Sequence, residues 1–139
     1  MNRVTSARAL LWTEAALFAL FGVGFLVAPA ALAEVITGAP PGAASAAIDL
    51  RATYGGLALG LALTWLLLDR AGHARLGLMS AGMVLSCVAL GRIVGMIVES
   101  SPNAFMWLLL ISEVVFAGLS LGVARAPRTV TVNIRCPFA

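Results

Sequence analysis

At 139 residues, 61% of them hydrophobic and only 11% charged, the chain carries far more apolar surface than a soluble fold of its length could bury. Its mean hydropathy of +1.02 makes a bilayer the expected solvent. The formal net charge of +3 would suit nucleic acid only if the cations formed a patch; all nine are arginines set mainly beside apolar stretches, so nucleic acid is excluded as a partner and membrane lipids take its place.

Four apolar stretches each approach or exceed the roughly 20 residues that a helix needs to cross hydrocarbon. The predicted fold is therefore an all-α membrane protein, an up-and-down bundle of four transmembrane helices forming one domain over about residues 1–126. The first helix is expected over about 7–27, closed by Pro29. The connection that follows contains A-P-P-G and is read as a loop with a short interfacial helix at about 43–48. The second helix is expected over about 50–68, and the basic link D-R-A-G-H-A-R joins it to the third, about 76–98. E-S-S-P-N is a tight turn whose Ser101 or Asn103 caps the fourth helix, about 103–124. Residues 127–139 are left as a short cytoplasmic tail.

The arginines orient the bundle. Arg3 and Arg8 precede the first helix, Arg70 and Arg75 fill the second connection, and Arg125, Arg128 and Arg135 follow the fourth helix. The first and third connections hold no basic residue except Arg51, just inside the second helix. The positive-inside rule puts both termini and the middle loop in the cytoplasm. The start of the chain also has the parts of a secretory signal, ending A-L-A at Ala31 to Ala33. Its apolar run exceeds the ~7–15 residues of a signal core and contains Glu14, which favours a retained span.

Small residues at helical spacing are the expected contacts between helices in lipid. Gly56 and Gly60, Gly91 and Gly95, and Gly118 and Gly122 form three such pairs, with Gly55 beside the first. They are read as packing inside the monomer, with a homo-oligomer interface as the alternative. Trp12, Trp65 and Trp107 read as interfacial anchors. Cys87, Cys136 and the single histidine, His73, have no metal-ligand spacing, and no metal or cofactor is expected.

Ionisable residues inside the spans carry the functional information, because charges in hydrocarbon face the bundle interior and pair. Depth counting places Arg51 near the outer end of its helix, Arg92 in the outer half of the third, Glu113 near mid-membrane and Glu14 nearer the cytoplasm. Arg92 is expected to reach Glu113. Arg51 and Tyr54, one turn apart, join them in an outward polar pocket with Glu14 at its floor. Structural ion pairs, a small apolar or anionic ligand, and a proton relay through the two glutamates are the competing readings. Ser112 has no histidine in any span to act as its base, which argues against a serine nucleophile.

The stretch D-L-R-A-T-Y-G-G-L-A-L-G-L, Asp49 to Leu61, resembles the small bacterial four-helix membrane proteins of domain-of-unknown-function family 4345. G-R-I-V-G, Gly91 to Gly95, and S-E-V-V-F-A, Ser112 to Ala117, are similar to its third and fourth helices; DoxX-like membrane proteins are a second resemblance. The first resemblance implies four helices, picks out Arg51, Tyr54, Gly55, Gly56, Arg92 and Glu113, and implies no activity; Glu14 has no counterpart in its pattern. The expected function is a non-enzymatic binding or accessory protein. A small proton-coupled transporter, or an enzyme acting on a lipid or isoprenoid, are the alternatives.

Overall fold

The computed structural model describes residues 3–126. The tail at 127–139, with Arg128, Arg135 and Cys136, lies outside them. Helix α1 spans Arg3–Val27. It stops because Pro29 has no N–H and its ring drives Ala28 out of helical geometry, to φ −132° and ψ 60°. Pro29 then opens a second helix, α2, Pro29–Thr37, at the one helical position where its missing donor costs nothing. Gly38 ends α2 with φ 91°, a left-handed turn that favours glycine. The first half of the expected loop is thus helical.

Helix α3, Ala44–Leu50, is no separate interfacial helix either. It runs through a π-helical turn, Arg51–Gly56, into α4, Leu57–Arg70. Leu50, Gly56 and Leu57 all keep right-handed helical dihedrals, so the second span is one rod, Ala44–Arg70. Gly72, at φ 80°, turns the chain into α5, Ala74–Glu99. Helix α6, Ala104–Arg125, follows. Asn103 caps it by accepting from the Met106 N–H at 2.9 Å, while its amide donates to the Ile36 carbonyl of α2 at 3.0 Å.

Four helices are long and apolar enough to cross a membrane: Thr5–Val27, Ala44–Arg70, Ala74–Glu99 and Ala104–Arg125. They pack as an antiparallel bundle in which α1 touches α4, α5 and α6, while α5 also packs against α4 and α6. The centre is built from Leu11, Ala15, Ala62, Trp65, Leu78, Ala81 and Ala124. Alanines dominate because backbones must come close where no water drives helices together. Trp65 is 0% exposed and meets Phe18 edge-on at 4.7 Å. It fills the core, unlike Trp12 and Trp107, which stay half-exposed; the expectation of three interfacial anchors is corrected for Trp65.

Close glycine contacts fall at positions other than those the spacing suggests. A Cβ at Gly22 of α1 would lie 2.8 Å from the Gly55 carbonyl oxygen and 3.0 Å from the Leu59 nitrogen. One at Gly55 would meet Leu26, one at Gly77 would meet Leu11, and one at Gly82 would meet Leu121. Among the described residues, Gly60, Gly91, Gly95, Gly118 and Gly122 face open space, and Gly56 meets only the Arg51 carbonyl at 3.9 Å. Packing of those three pairs within one chain is therefore corrected. Spacing by four identifies a smooth stripe without saying which way it faces.

Candidate buried-charge site

Arg92 of α5 and Glu113 of α6 meet as a closed fork. Arg92 Nε donates to both carboxylate oxygens at 3.2 and 3.0 Å, and Nη2 to Oε1 at 2.5 Å. Arg92 Nη1 also reaches the Met106 sulfur at 3.1 Å. Antiparallel α5 and α6 bring a residue seven before the end of one beside a residue nine after the start of the other. Each oxygen and most of the guanidinium edge are used within the chain, a geometry suited to pinning helix register in lipid.

Glu14 of α1 is held apart from that pair. It is 2% exposed, and the hydroxyl of fully buried Ser120 on α6 donates to its Oε1. Its Oε2 is buried without a hydrogen-bond partner among the described residues. Ser120 was not singled out by the sequence, although it lies seven residues, two helical turns, beyond Glu113 and so on the same inward face.

Arg51 and Tyr54 form a third locality, against the end of α1. Arg51 Nε donates to the Leu26 carbonyl at 3.1 Å. That carbonyl lies in the last turn of α1, where the interruption at Pro29 leaves acceptors free. The Tyr54 ring stacks on Phe25 at 5.2 Å and lies 6.4 Å from Phe21, with 48% of the residue exposed. Buried Gly55 follows it in the π-helical turn and lets Leu26 lie against the backbone. π-Helical turns are rare and recur at functional sites.

The five ionisable or polar candidates therefore do not share one pocket through their contacts. Arg92 is brought to Glu113, Arg51 to Leu26, Tyr54 to Phe25 and Glu14 to Ser120. Depth alone had grouped them; the helix face each occupies separates them. A further charged latch joins α4 to α1. Asp69, 4% exposed, accepts from Arg8 Nε at 2.9 Å and from Trp12 Nε1 at 2.8 Å, tying α4 to the start of α1. Its signal was an acidic residue beside a basic loop, at the same membrane depth as Arg8. Among the described residues, no three His, Cys, Asp or Glu side chains gather in a way that would hold a metal ion.

Four helices long and apolar enough to span a bilayer, with an ion pair buried between two of them, define a multi-pass, all-α membrane protein. Residues 6–124 match the family model described as domain of unknown function (DUF4345). The chain belongs to that family, as the R-A-T-Y-G-G motif leads one to expect. No curated protein and no solved structure matches it.

Proposed function

We propose that this protein is a non-enzymatic binding or accessory protein of the bacterial inner membrane, holding an anionic or carbonyl-bearing head group at the Arg51–Tyr54 corner. One observation carries the reading. Arg51 is anchored through Nε alone, and its two terminal nitrogens have no hydrogen-bond partner among the described residues. An anchored guanidinium with a free edge is pre-organised for a carboxylate, phosphate or carbonyl oxygen. The exposed Tyr54 beside it supplies a hydroxyl and an apolar face. Arg92 serves structure in this reading, since Glu113 already occupies its fork.

The test is native mass spectrometry of gently extracted protein, read beside thermal stability. Arg51→Gln and Tyr54→Phe are each expected to lose a co-purified small molecule or lipid while melting within a few degrees of the parent. An unchanged set and stoichiometry of retained species in both variants would overturn the assignment; a phospholipid lost only with Arg75 and Arg125 replaced belongs to another site. A transporter using Glu14 and Glu113 has less support, because the two carboxyls are held by different partners with no hydrogen bond linking them.

The proposed orientation places the start of α1, the α4–α5 turn and the end of α6 in the cytoplasm. Arg8, Arg70, Arg75 and Arg125 gather at that end, and Glu34, Asp49 and Glu99 at the other, which supports it. Alkaline phosphatase fused after Pro41 or Ser101 is expected to be active, and fused after Gly72 inactive. The reverse pattern would invert the bundle.

A further inference from the structure

On the outer flank of α5 and α6, the two helices touch closely at Gly82 and Leu121. Beside that contact lies a half-open groove of about 370 Å³, lined by Met79, Met83, Ser86, Cys87, Leu121 and Arg125. Its walls are apolar, and the Ser86 hydroxyl is already donated to the Gly82 carbonyl at 2.7 Å. Met79 to Cys87 lies inside the third candidate span and extends about 12 Å along it, so the groove faces hydrocarbon. Methionine walls adapt to a flexible apolar occupant.

The groove has a charged mouth. Arg125, in the last turn of α6, is exposed and makes no hydrogen bond or ion pair among the described residues. Arg75, also exposed, precedes Met79 by one turn of α5 and so lies on the same face. Among the described residues no carboxylate pairs with either of them. Asp69 is engaged by Arg8 and Trp12, and the sequence from 126 to 139 contains no Asp or Glu.

We infer that this groove holds an anionic phospholipid of the adjoining leaflet, with one acyl chain along Met79, Met83 and Leu121 and its phosphate on Arg125 and Arg75. Charge complementarity selects this occupant: an apolar slot ending at two unneutralised cations fits an amphiphile with a negative head. The site lies at the opposite end of the bundle from Arg51 and Tyr54, so either assignment can fail without the other.

Cys87 lines the groove and provides the probe. The full chain carrying Cys136→Ala is labelled at Cys87 with a small fluorophore and placed in phosphatidylcholine bilayers. Brominated-chain phosphatidylglycerol is expected to quench at a lower mole fraction than brominated-chain phosphatidylcholine, by about fivefold for each arginine engaged. The preference is expected to vanish in Arg75→Gln/Arg125→Gln. Equal quenching by the two lipids, or a preference that survives the double substitution, would overturn the inference. Unlabelled protein gives a check independent of the fluorophore. Native mass spectrometry from mixed bilayers is expected to show one retained phosphatidylglycerol, absent from the double variant, and equal retention by both proteins would count against the site.

Discussion

Arg92→Met or Glu113→Gln alone is expected to destabilise the bundle by about 3–5 kcal/mol, because each leaves its partner charged in a low-dielectric interior. Combining them removes both charges and is expected to recover much of the loss. The expectation rests on the closed fork between the side chains and on the interior position of Glu113. Unfolding in mixed micelles for parent, single and double variants gives a coupling energy. Losses that simply add would show no interaction and remove the pair from the account of helix register. The double variant also separates structure from binding. With the fork satisfied inside the chain, it is expected to keep whatever the Arg51–Tyr54 corner holds, and its loss there would transfer the functional role to Arg92 and Glu113.

Gly22→Leu is expected to be comparably damaging, by about 3 kcal/mol, at the severe end of overpacking. The atoms in the way are the Gly55 carbonyl oxygen and the Leu59 nitrogen. These are backbone, and no rotamer change moves them aside. Gly95→Leu and Gly122→Leu, whose faces meet nothing within 4 Å among the described residues, are the matched comparison. Thermal melts of the three variants in one detergent decide the point. Equal damage at Gly95 would mean that its face is covered by another copy, and little damage at Gly22 would mean that α1 does not pass the π-helical turn as described.

The parts of this fold that were legible in the sequence depend on length, depth and charge. Twenty-residue apolar runs fix the spans, and counting rise from the short E-S-S-P-N turn brings Arg92 beside Glu113. What required the structure depends on azimuth. Trp65 sits near a helix end, where sequence favours an interfacial anchor, yet its face turns inward onto Phe18. The glycine pairs have the right period and the wrong direction. Glu14 and Asp69 find Ser120, Arg8 and Trp12 across neighbouring helices, and nothing local in the sequence names those partners. In membrane helices the outward face is as apolar as the inward one, so hydropathy gives little phase information. Helix α2 is the exception, because its start and stop are both local. Pro29 is a good first helical residue as well as a terminator of α1, and Gly38 supplies the matching stop.

The π-helical turn has a consequence for how the second span is numbered. A ring closed from residue i to i+5 holds one residue more than an α-helical ring, so α4 is rotated by about 100° relative to a continuation of α3. Two heptad frames therefore meet between Asp49 and Leu57, and a single helical wheel drawn through the rod would misassign one half. Shortening that segment by one residue would let the turn close to an ordinary α-helical one and leave Ala58, Ala62 and Trp65 facing the core they now fill. Adding one residue to the α-helical part after it would instead swing all of the chain beyond the insertion off its face. The extra residue is thus confined to the turn from Arg51 to Gly56, where it widens the backbone that Gly55 lays against Leu26 of α1.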